Sequence, residues 1–207
     1  RRLGGKLFRN IGPFRSSAYT CDAADFDGTN DGMSRASNYT GAADSRTLTH
    51  SVFFRIDGGD AASRIIAGYE NGSDTVIFID TDNKIKAYVA NPGGTSSLSF
   101  STVNTYLASA SWRHLLVSCN TNFGAGAKLA TIKVDGVSDV TVTSDTAVAF
   151  DIDHTIRPVV GMRFDAAQKF NGALAESYWN TVVALTDDLL FRNSSNKPIS
   201  LGADGSV

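Results

Sequence analysis

Residues 47–56, Thr-Leu-Thr-His-Ser-Val-Phe-Phe-Arg-Ile, place Leu48, Val52, Phe54 and Ile56 on one face at a period of two, with Thr47, Thr49, Ser51 and Arg55 opposite. This is the pattern of a β-strand with one face on a core. Comparable segments occupy 64–69, 75–80, 84–89, 98–101, 112–119, 129–135, 137–143, 157–162 and 170–179. Asn71-Gly72, Asp82-Asn83, Pro92-Gly93-Gly94 and Asp135-Gly136 separate several of them, and these residues tolerate positive φ or bond to their own backbone, as hairpin ends require. About ten closely spaced strands predict an all-β chain of two stacked antiparallel sheets. Helix signals are scarce. One short helical turn is predicted at 186–191, with Thr186 as its cap and Asp187 and Asp188 at its positive end.

Composition sharpens this picture in three ways. A chain of 207 residues with 42% apolar content can bury one core. The charge is uneven: Arg1, Arg2, Lys6, Arg9 and Arg15 stand in the first fifteen residues without an acid among them, whereas the rest is rich in Asp. The expected organisation is therefore a basic arm over 1–20, able to dock on an acidic partner surface, a sandwich over 21–185, and a C-terminal turn and extension over 186–207. The net charge of -2 argues against nucleic acid as the partner, and no run approaches the roughly 20 apolar residues of a membrane-spanning helix. The absence of an initiating Met suggests that residues precede Arg1. Cys21 and Cys119 allow one long-range bridge or two buried thiols, the latter being the preferred reading.

Candidate chemistry is sparse. The only glutamates are Glu70 and Glu176, too far apart in sequence to suggest a paired acid and base; Asp151 and Asp153 put two carboxylates on one strand face and are read as a solvated loop or a metal-facing turn. None of His50, His114 and His154 sits in a nucleophile elbow. His50 reads as a hydrogen-bonded core histidine, His114 as packing, and His154 as loop polarity or a cation ligand. Hard-oxygen clusters occur at Asp25, Asp27, Asn30 and Asp31 and at Asp80, Asp82 and Asn83, without EF-hand spacing; they are the candidate calcium ligands. For a sugar, exposed rings are needed at a rim or sheet face. Tyr88, Tyr69 and Trp179 are the candidates, Tyr88 first because it lies opposite Ile85, Ala87 and Val89 on its strand.

Several stretches resemble the laminin G-like branch of the concanavalin A-like lectin and glucanase superfamily. They are Ala-Asp-Phe-Asp-Gly-Thr-Asn-Asp at 24–31, the strand at 48–56, Trp-Arg-His-Leu-Leu-Val at 112–117 with its partner at 128–136, and Phe-Asn-Gly-Ala-Leu-Ala-Glu at 170–176. The resemblance implies a jelly-roll sandwich, a calcium site at its rim as in many such domains, and carbohydrate as a ligand class. The glucanases of that superfamily carry Glu-x-Asp-x-x-Glu on one strand; nothing here matches, so no enzyme is expected. Residues 196–205 are similar to a segment that follows such domains in tailed-bacteriophage virion proteins. That likeness implies an oligomeric virion module binding neighbouring virion subunits and host-surface polysaccharide. The alternative is a secreted, extracellular, calcium-dependent carbohydrate-binding or adhesion module.

Overall fold

A computed structural model describes residues 22–35, 37, 43–69, 75–124, 127–145, 148–163 and 167–199. The basic arm, Cys21, Tyr39, Glu70, the Asn71-Gly72 turn and residues 200–207 lie outside the described residues. Thirteen strands are described: β1 Ala23–Asp27, β2 Met33–Ser34, β3 Thr47–Ile56, β4 Arg64–Tyr69, β5 Thr75–Ile79, β6 Ile85–Ala90, β7 Ser97–Ser101, β8 Ser109–Asn120, β9 Leu129–Val134, β10 Val137–Ser138, β11 Thr141–Asp145, β12 Pro158–Val160 and β13 Asn171–Asn180. All pairings are antiparallel, in a six-stranded sheet ordered β1-β13-β3-β8-β9-β10 and a seven-stranded sheet ordered β11-β7-β6-β5-β4-β12-β2.

The predicted alternation builds the core. Leu48, Val52, Phe54 and Ile56 of β3 meet Leu115 and Val117 of β8 and, from the other sheet, Ile77, Ile79, Ile85, Val89, Leu98 and Phe100. At 135–136 the hairpin needs two residues with positive φ, and Asp135 (φ 54) and Gly136 (φ 82) supply them.

The opposite face of β3 departs from expectation, since Thr49, Ser51 and Phe53 are as buried as the core. The cover is the C-terminal segment. Thr181 accepts a hydrogen bond from the Thr47 hydroxyl at 2.7 Å, Val183 accepts one from the Thr49 hydroxyl at 2.8 Å, and Phe191 packs on His114 and Tyr178. Behind Phe191, Asp188 accepts from Lys133 (3.1 Å) and from Arg192 Nε (2.6 Å). Burial acts to raise the Asp188 pKa, but Lys133 and Arg192 overcome it and hold the carboxyl below its ordinary range. Gly136 is fixed here twice, because a Cβ would stand 1.7 Å from the Arg192 guanidinium.

Two further differences concern the C-terminal half. The run 137–143 is two strands in different sheets, β10 and β11. Between them Asp139 is 5% exposed and accepts from the Val103 and Asn104 backbone, the Asn104 amide and the Tyr106 hydroxyl (2.6 Å), which pins the crossing. The turn near 186–191 is a 3-10 turn over Asp188–Leu190 capped by Asp187 rather than Thr186, the Asp187 carboxylate accepting from the Leu189 amide.

Candidate functional site

Strand alternation on the seven-stranded sheet sends Val76 and Phe78 of β5, Lys86 and Tyr88 of β6 and Ser99 of β7 away from the core. Register aligns them in rows: Val76 pairs with Tyr88 and Tyr88 with Ser99, while Ile65 pairs with Phe78 and Phe78 with Lys86. The rows floor a groove of about 420 Å³, bordered by Thr143 of β11 and by Arg163 and Gln168. Gln168 is held at the β4 side by a 2.9 Å hydrogen bond from the Ile65 amide to its carbonyl.

The groove is chemically divided. Its β4–β5 part is Ile65, Val76 and Phe78; its β6–β11 part is Lys86, Tyr88, Ser99 and Thr143. Lys86 is committed, with Nζ 2.8 Å from Asp80 and 3.0 Å from Asp82. Burial works against the charge on Lys86, yet the two carboxylates raise its pKa on balance. Among the described residues the side chains of Tyr88, Ser99, Thr143 and Gln168 make no hydrogen bond within the chain.

The structure distributes the remaining candidate residues elsewhere. Tyr69 is 7% exposed and points inward, edge-on to Trp179 at 4.9 Å and to His154 at 5.6 Å. Trp179 packs against His50 at 4.6 Å in the same aromatic row between the sheets. Neither joins Tyr88. Asp27 accepts from the Thr29 and Asn30 amides and Asp31 from the Asp27 amide, so these carboxylates close their own turn; those turn bonds lower the Asp27 pKa. Asp25 faces Arg55 at 3.4 Å. With Asp80 and Asp82 on Lys86, neither cluster converges on a cation. Among the described residues no group of three or more His, Cys, Asp or Glu is placed to hold a metal ion.

The groups considered for catalysis are likewise engaged. Asp151 pairs with Arg46 at 3.0 Å, and Asp153, 6% exposed, accepts from the Thr155 amide and hydroxyl. His114 is buried with Nε2 2.9 Å from the Ser51 hydroxyl, but Nδ1 has no partner, so no acid orients it. His154 is not loop polarity: it is fully buried, with Nε2 3.1 Å from the Thr47 carbonyl. His50 is a core histidine whose ring nitrogens make no well-formed hydrogen bond, the Tyr178 backbone lying near enough only to favour its charge weakly. Cys119 is a free buried thiol whose pKa burial pushes up to about 12.

Solved structures share this architecture. A heptameric SAP-like pentraxin from Limulus polyphemus matches with a TM-score of 0.57 and 14% identity over 79% of this chain and 77% of that one. Mouse laminin α1 domains LG4-5 match at 0.56 and 15% identity, covering 80% of this chain and 42% of theirs. The CBM40 of the Ruminococcus gnavus IT-sialidase, bound to α2,3 sialyllactose, matches at 0.52 and 11% identity over 80% and 94%. The fold is the jelly-roll sandwich. At these identities the likeness concerns fold alone, and none of the three is a virion protein. No protein-family profile matches the chain, and no curated protein matches its sequence.

Of the groove residues, Tyr88 is the one that strand periodicity singles out in advance. Ile65, Val76, Phe78, Ser99, Thr143, Arg163 and Gln168 were not anticipated. A signal for two of them exists: Thr-Val-Ile-Phe-Ile at 75–79 is apolar at its outward positions, where a strand with one wetted face carries polar residues.

Proposed function

We propose that this domain is a non-catalytic carbohydrate-binding module of extracellular type that takes its ligand in the groove on the outer face of the seven-stranded sheet. The observation that carries the reading is the groove itself. The Tyr88 ring stands among hydroxyl and amide groups that make no hydrogen bond within the chain, in a concavity of about 420 Å³, within the roughly 300–1,000 Å³ of small-ligand sites. A pyranose offers apolar C–H faces and a rim of hydroxyls, which the Tyr88 ring and the polar side chains of Ser99, Thr143 and Gln168 complement. The structural contacts of Asp151 and Asp153 and the burial of all three histidines support a binding role over catalysis.

The proposal is the carbohydrate-binding alternative read from the sequence, without its calcium dependence and without the virion setting that the tail resemblance, the laminin G-like pattern and the basic arm together suggested. The test is a glycan array followed by calorimetry on the strongest hit. Replacing Tyr88 with alanine is expected to weaken that hit at least about tenfold, some 1.4 kcal/mol, with unchanged circular dichroism. Silence on the array, or equal binding by Tyr88→Ala, would refute the proposal.

A further inference from the structure

We infer that the groove selects an N-acetylated sugar, seating the acetamido methyl on Val76 and Phe78. The inference rests on the carbohydrate-binding reading and adds the ligand's chemical class.

The argument begins with what an outer sheet face does when it only meets water: its positions are polar. β6 and β7 follow that rule, sending out Lys86, Tyr88 and Ser99, but β5 sends out Val76 and Phe78. These are half-buried, beside Ile65 at 2% exposure, and all three line the groove. A contiguous apolar surface inside a concavity marks a binding site more readily than a solvated face. An unsubstituted hexose has hydroxyls around its rim and would leave some of them unpaired on this apolar side, which is costly.

An acetamido group resolves the mismatch. Its methyl meets Val76 and Phe78, and its amide N–H and C=O lie toward Tyr88, which pairs across the sheet with Val76, while Ser99 one strand further is left to a ring hydroxyl.

The experiment compares N-acetylglucosamine and N-acetylgalactosamine with glucose and galactose, by calorimetry and by saturation-transfer NMR on the intact chain. The acetylated sugars are expected to bind about tenfold or more tightly than their parents, with the strongest saturation on the acetyl methyl. Val76→Thr, close to isosteric on the outer face, and Phe78→Thr are expected to bring that ratio near one. Equal binding of acetylated and parent sugars, or an array hit lacking any acetamido group, overturns the inference and leaves the carbohydrate-binding reading standing. Absence of binding by every sugar and by the array overturns both.

Discussion

Replacing Phe191 by alanine is expected to lower the unfolding free energy by about 3 kcal/mol, the lower end of what removing a buried phenyl ring costs. Phe191 is 3% exposed and lies against His114 at 6.2 Å and Tyr178 at 5.1 Å. Its ring is the apolar anchor of a segment otherwise held by polar contacts: the Thr49 hydroxyl to Val183 and Leu185, Lys133 and Arg192 to Asp188, and Asn196 to Asp135 at 2.6 Å. The lower end applies because a segment packed on the outside of the sheet can lift away instead of leaving a sealed cavity. Lifting has its own signature, since it wets Thr49, Ser51, Phe53 and Leu116 on the outer face of the six-stranded sheet. Urea titration and amide hydrogen exchange check this together. A stability loss below about 0.5 kcal/mol, ordinary for a surface change, with unaltered protection over 181–199, would mean that Phe191 is no anchor.

The parts of this molecule that the sequence reveals are those with a local cause. β4 is found over the six residues that the apolar run indicates, and β3 over its ten, because alternation and flanking turns act within a few positions. What escapes sequence reading is decided by distant partners. The polar face of β3 reads as solvated and is buried by residues more than 130 positions later. The single strand expected at 137–143 changes sheets because four hydrogen bonds from residues 103–106 converge on Asp139. The site shows the same division. Tyr88 and Tyr69 are both strand tyrosines. Tyr88 lies in a regular strand and faces the groove, as its period requires, whereas a bulge between Ile65 and Ala67 reverses the alternation of β4 and turns Tyr69 inward. Nothing in the residues around Tyr69 signals that bulge. The aspartates misled for a related reason: Asp27, Asp80 and Asp82 do build turns, and serving those turns and Lys86 is what occupies them.

Acidification is expected to destabilise the fold from about pH 6.5 downward, before its carboxylates begin to protonate. Burial holds the His50 pKa down to about 3, the Tyr178 backbone opposing this only partly and His114 adding to it. His114 is held down to about 4, by burial first and then by Arg192, against Asp188 and Asp135. His154 is lowered by burial too, although the Thr47 carbonyl, Asp44 and Asp153 act in the other direction. The unfolded chain binds these protons near pH 6.5 and the folded chain does not, so stability is fully present above that value. It falls progressively between 6.5 and each folded pKa. Within that window each such histidine costs about 1.4 kcal/mol per pH unit, so His50 and His114 together remove about 4 kcal/mol by pH 5. Asp27, Asp57, Asp82, Asp139 and Asp188 have lowered pKa values and act in a separate window, below 3.8. The check is the urea midpoint of the native chain and of His50→Leu at pH 7.5, 6 and 5. Because both nitrogens of His50 are buried without a well-formed hydrogen bond, leucine is expected to be neutral or stabilising at pH 7.5 and to reduce the proton uptake on unfolding by about one between pH 6 and 5. An identical pH slope in the two proteins would mean that His50 is already protonated in the folded state, and that the aromatic row of His50, Trp179, Tyr69 and His154 contains a charge.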